Sequence, residues 1–259
     1  MQIAAELYPV LEDFKKDPQG TLNQLKAIGY TGIEWYGDPI MAASEIRQLI
    51  DESGLALTGA QVPWRLMQGE GLQKVIAYQK ALKNQHVLIA ALGGPWESGH
   101  KISENTVATW QKHAARINEM NQVFHDAGMT LGYHTHAYDF GELVEGKAGS
   151  LDILLKAVDS DVQIEVDTGN CIEGGRDPQH ELLRLTGRVP FVHCKPYGTK
   201  DKYEVALGSE ADKNNWPAIV KAAQDAESQW LVVEPESTTL GSPLETMAQC
   251  FRALKPFVK

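Results

Sequence analysis

Short apolar or β-branched runs recur along the chain at 3–8, 32–37, 55–62, 86–92, 129–134, 162–167, 189–195 and 230–236, and each predicts a buried strand. Helical periods lie between them. The clearest spans 104–127, where Val107, Trp110, Ala114, Ile117, Met120 and Phe124 recur at steps of three and four. Ser103 is placed to cap its start and Gly128 to end it. Asp177-Pro178 and Ser242-Pro243 read as N-caps followed by a proline in the first turn. Eight strands, each followed by a helix, within 259 residues predict an α/β fold, a single (β/α)8 TIM barrel spanning 1–259. A doubly wound sheet is disfavoured, because the chain has neither a G-x-G-x-x-G turn nor a P-loop.

Such a barrel builds its site at the C-terminal ends of the strands. Four successive predicted strand ends carry pairs of polar residues: His134 and His136, Glu165 and Asp167, His193 and Lys195, Glu234 and Glu236. Residues two apart on an extended strand share a face, so these pairs are expected to converge at the barrel mouth. Barrel interiors are normally filled by branched apolar side chains, and buried unpaired charge is costly. One divalent metal ion is the economical compensation. Mixed imidazole and carboxylate donors suit Mn, Co, Fe, Ni or Zn, with Mg less favoured.

Composition removes several function classes. The formal charge of −10 is spread along the chain without a Lys/Arg block, which argues against nucleic acid as a partner. No run is long and apolar enough for a membrane helix and the N-terminus has no signal-peptide pattern, so no membrane partner and a cytoplasmic location are expected. Cys171, Cys194 and Cys250 form no CxxC pair and are expected as reduced thiols in a core. Self-association is compatible with a barrel of this size.

The ordered set "AIGYTGIEWYG", "LGYHTHAYDF", "IEVDTGNCIEGGRDP", "FVHCKPY" and "WLVVEPES" resembles the xylose isomerase-like barrel superfamily, in its sugar phosphate isomerase/epimerase branch. Carried over position by position, the resemblance implies metal ligation by His134, Asp167, His193 and Glu234. Three departures stand out. Ketose epimerases of the superfamily have glutamate where His134 stands, Pro196 replaces an aspartate, and "LGSEADKNNW" lacks a Gly-Glu-Gly.

A metal-bound carbonyl would acidify the neighbouring C–H, the chemistry of sugar isomerisation, epimerisation or β-elimination. Glu234 is the expected base as well as a ligand. Lys195, its pKa lowered by the neighbouring metal, is expected to steady an oxyanion or donate a proton, and His136 to serve as a second acid/base or a substrate donor. Glu165 and Glu236 are expected to orient the ligating histidines. Glu6, Glu34 and Gln61 lie near the first three strand ends as hydroxyl-binding residues, and Trp64 and Tyr197 stand with Tyr8, Trp35, Tyr138 and Phe140 as flat faces for a sugar ring. No phosphate loop is evident, which points to a neutral keto-sugar, polyol or glycoside. The function classes left open are a metal-dependent isomerase or epimerase, a dehydratase or lyase, and a non-catalytic sugar-binding barrel. A nuclease of the apurinic endonuclease type would need a basic face that this acidic chain lacks.

Overall fold

The computed structural model describes residues 1–93, 99–141 and 143–258. Strands β1 (Gln2–Glu6), β2 (Gly32–Tyr36), β3 (Ala56–Val62), β4 (His86–Ile89), β5 (Thr130–His134), β6 (Gln163–Asp167), β7 (Phe191–Cys194) and β8 (Trp230–Val233) pair in sequence order into a closed barrel. All eight pairings are parallel, and β1 closes on β8 through Gln2↔Trp230 to Ala5↔Val233. Helices follow every strand, as parallel pairing requires of its crossovers. This is the (β/α)8 barrel the pattern predicts.

Most of the core lies between strands and helices. The helix Val107–Asp126 turns Trp110, Ala114, Ile117, Met120 and Phe124 inward, each at most 1% exposed. It is capped by Thr106, whose side chain accepts from the Thr109 amide; the expected cap, Ser103, instead falls in a separate 3-10 turn, Ile102–Glu104. Asp177 and Ser242 cap their helices as their Asp-Pro and Ser-Pro steps predict. All three cysteines are buried and free.

A small second core of Ala4, Leu88, Phe191 and Val232 fills the barrel's lower interior. Period-two alternation carries the same inward face from Ala4 to Glu6, from Phe191 to His193 and from Val232 to Glu234. The interior therefore switches from apolar to ionisable within one strand step. β5 ends at His134, where its apolar run ends, while β8 stops at Val233, sooner than its run suggests, so His136 and Glu234 both sit in the segments that follow the strands. Among the described residues no helix is long and apolar enough to cross a membrane.

Candidate active site

The site is built in two tiers above that apolar plug. In the lower tier Glu34, Gln61, Glu165 and His193 meet on the barrel axis, all at most 2% exposed. Gln61 Nε2 lies 3.1 Å from Glu34 Oε1, 3.3 Å from Glu6 Oε1, Glu165 Oε2 and His134 Nδ1, and 3.4 Å from His193 Nε2. One amide with two hydrogens thus faces three carboxylate oxygens and two imidazole nitrogens. The upper tier holds His134, Asp167, Lys195 and Glu234, with Glu236 and His136 at the mouth.

The two histidines are held alike. His134 Nδ1 lies 2.8 Å from Glu165 Oε2, and its Nε2 faces Asp167 Oδ2 at 4.0 Å. His193 Nε2 lies 2.9 Å from Glu34 Oε1, and its Nδ1 lies 2.9 Å from Glu234 Oε2. Each ring has one nitrogen on a lower carboxylate and the other turned toward an upper one. Asp167 ends β6 and caps the helix Thr168–Glu173: it accepts from the Asn170 amide at 2.9 Å and from Asn170 Nδ2 at 2.7 Å. Gly169 lets β7 come close, since a Cβ there would stand 2.8 Å from the Lys195 carbonyl oxygen.

Donor atoms of His134, Asp167, His193 and Glu234 all lie within 4.8 Å of one another. Two imidazoles and two carboxylates on four neighbouring strand ends form a donor set that suits a divalent ion. Charge points the same way. Glu6, Glu34, Glu165, Asp167, Glu234 and Glu236 gather across the two tiers around one lysine, and buried Glu6 Oε2 and Glu34 Oε2 have no hydrogen-bond partner among the described residues. The buried cluster is consistent with a metal site.

Burial and neighbours set the protonation states. Burial, with the adjacent His193 and His136, pushes His134 well below the usual imidazole range, giving the neutral form that ligation needs. Burial disfavours charge on His193 as well, yet Glu165 and Glu34 overcome it and raise its pKa. Glu234 is held well below the carboxylate range: burial opposes this, but Lys195 and His193 outweigh it. Burial raises Asp167 to about 7. Burial alone would lower the Lys195 pKa, but Glu234 at 2.8 Å, Asp167 at 3.4 Å and Glu236 at 2.6 Å raise it well above the usual lysine range. The Lys195 ammonium is a firmly charged donor.

A cavity of about 360 Å³ opens over this cluster, lined among others by Glu6, Tyr8, Gln61, His136, Lys195 and Glu234. His134 and His136 do share it, with ring centroids 4.8 Å apart. Burial lowers His136 to about 3, so its ring is a neutral polar wall stacked on Tyr138. Three expected substrate contacts lie elsewhere. Glu34 is fully buried beneath Gln61 and holds His193. Trp64 packs edge-on against His113 behind the wall. Tyr197 is buried against Tyr203, its hydroxyl accepting from Lys202 Nζ at 2.7 Å. Trp35, expected as a flat face, also points away, packing on Phe14. Glu236 contacts Lys195 rather than a histidine. The wall also uses Tyr36, Asn170, Glu173 and Tyr203, which the pattern does not single out. Only Asn170 carries a local signal, three residues after the capping Asp167.

Fold and site together define a parallel-barrel protein with a buried histidine–carboxylate centre at its C-terminal mouth. The chain belongs to the xylose isomerase-like TIM barrel family, whose model matches residues 22–256. No curated protein matches it in sequence. Among solved structures it is similar to a sugar phosphate isomerase/epimerase from Parabacteroides distasonis, with a TM-score of 0.84 at 18% identity over 99% of each chain. An L-ribulose 3-epimerase aligns at TM-score 0.72 and 14% identity, over 99% of this chain and 95% of that one. A probable 3-DHS dehydratase from Bacillus anthracis aligns at TM-score 0.70 and 14% identity, over 98% and 99%. At these identities the likeness is one of fold.

Proposed function

We propose that the chain is a divalent-metal-dependent sugar isomerase or epimerase that removes a proton beside the carbonyl of a keto-sugar or keto-glycoside. The observation that carries this is the paired mounting of His134 and His193, each fixed by a lower carboxylate and turned toward Asp167 and Glu234. His134, Asp167, His193 and Glu234 would hold the ion, and Glu165 and Glu34 would fix the two imidazoles. A divalent ion bound there supplies Lewis acidity, which lowers the pKa of a C–H beside a carbonyl.

The chain's own groups do the proton handling. Glu234, ionised and facing the cavity, takes the proton. Lys195, charged and 2.8 Å from Glu234, donates to the oxygen on which negative charge develops. His136, Glu6 and Gln61 line the cavity and orient hydroxyls. Lys195 is the one cation of the described lining and is already engaged by three carboxylates, which favours an uncharged substrate. We place this enzyme in the cytoplasm as a single-domain barrel over 1–259, acting on small carbohydrates.

A second reading, a dehydratase or lyase, rests on the unlike pair Glu234 and Lys195: one removes a proton while the other protonates a leaving group on the same wall. Incubating the Mn²⁺-loaded protein with a keto-sugar panel in D₂O tests both. Deuterium beside the carbonyl supports isomerisation or epimerisation, loss of water or an alcohol selects the lyase, and absence of both returns the chain to sugar binding.

A further inference from the structure

A second cavity, of about 530 Å³, adjoins the first, and Tyr8 and Glu236 line both. Its walls come from the segments after β1 and β8, and of the ionisable cluster only Glu236 lines it. Pro9, Leu11, Pro235 and Pro243 give it apolar faces, while Glu12, Ser237 and Thr238 add hydrogen-bonding edges. Tyr8 stands between the cavities, 45% exposed, with its ring edge-on to Tyr36 at 4.9 Å. Glu236 reaches Lys195 with Oε1 at 2.6 Å and stays one-third exposed, so part of its carboxylate faces the junction.

The far wall is built in advance. Glu204 accepts from Ser237 Oγ at 2.6 Å, from Thr238 N and Oγ1 at 3.0 and 2.8 Å, and from Thr239 Oγ1 at 2.8 Å. These donors hold its carboxyl down to about 2, so the clamp persists across ordinary pH. A loop fixed before binding has less conformational entropy to lose when a ligand arrives.

We propose that this second cavity is a subsite for a neutral glycosyl unit, which makes the preferred substrate two sugar units long; the assignment rests on the carbohydrate reading of the first cavity. The mixed lining matches a sugar's chemistry, with C–H faces against proline, leucine and the Tyr8 ring, and hydroxyls on the carboxylates of Glu12 and Glu236. Both glutamates of the described lining are ion-paired, Glu12 with Lys15 at 2.7 Å and Glu236 with Lys195 at 2.6 Å, so the lining is close to neutral and suits an uncharged unit.

Calorimetry on the full-length Mn²⁺-loaded protein tests this, with maltose, cellobiose, sucrose and trehalose as two-unit probes. Glucose and methyl glucoside are the one-unit controls, and 4-nitrophenyl glucoside is the aryl control. At least one two-unit sugar should bind roughly tenfold more tightly than the one-unit controls. Leu11→Trp, or Glu12→Trp if the first variant folds poorly, should erase that advantage and leave one-unit binding within about twofold. The subsite is overturned if no two-unit sugar binds more tightly, if both substitutions leave the advantage intact, or if only the aryl glucoside gains. Binding is read without turnover, so a failure here leaves the deuterium-exchange result standing, and the reverse also holds.

Discussion

Lys195 Nζ lies 2.8 Å from Glu234 Oε1 at the mouth of the barrel, and the two depend on each other for charge. The carboxylate raises the lysine's pKa against burial, and the ammonium lowers the glutamate's. Lys195→Met should therefore act twice. Turnover should fall roughly 10²- to 10⁴-fold through loss of the donor. The acid limb of the pH–rate profile should also move to higher pH, because Glu234 loses the cation that keeps it ionised. An unmoved limb would remove Lys195 from that role.

Glu165 and Glu34 each take one nitrogen of a histidine, so they should govern metal affinity without touching substrate. Glu165→Gln and Glu34→Gln are each expected to weaken binding about 10- to 100-fold, measured by competition against a chelator. His193→Ala together with Asp167→Ala should abolish stoichiometric metal altogether.

Gln61 supplies amide hydrogens to a ring of buried acceptors, with Glu34 the nearest at 3.1 Å. Gln61→Leu keeps the volume and removes the donors. The metal-free protein should lose about 1–3 kcal/mol in urea denaturation, the cost of leaving buried acceptors unmatched.

His113 is 7% exposed, next to His100 at 3.0 Å, and burial lowers its pKa from 6.5 to about 4. A histidine kept neutral by the fold contributes stability that is present above pH 6.5 and lost as pH falls toward 4. The difference between wild type and His113→Phe should then swing toward the variant by at most about 3 kcal/mol across that window. Taking the difference removes opposing groups such as Asp139, which burial raises to about 7.

Ser242 accepts from the Glu245 amide, and Glu245 Oε2 accepts from the Ser242 amide at 2.9 Å. Ser242→Ala should cost about 1 kcal/mol by thermal or chemical unfolding, with little change at the site.

Much of this is legible in the sequence. A strand's side-chain period of two and a helix's period of 3.6 are local properties, so the eight-strand alternation, the buried stripe from Trp110 to Phe124 and the Asp177 and Ser242 caps follow from neighbouring residues alone. The gathering of paired polar residues at four successive strand ends is legible from their spacing once a barrel is expected, and the family resemblance singles out His134, Asp167, His193 and Glu234 among them.

What the sequence by itself determined, then, is the barrel and the strand ends that carry ionisable groups. Only the tertiary structure decided the vertical order: Glu34 and Glu165 as a lower tier holding the imidazoles, Gln61 on the axis, and Lys195 charged among three carboxylates. It also turned Trp35, Trp64 and Tyr197 away from the cavity and brought Asn170 and Tyr203 to it. The reason is physical. Depth in a barrel depends on strand register and closure, and the pKa of a buried group depends on charges contributed by strands far away in the chain; neither is encoded within a single segment.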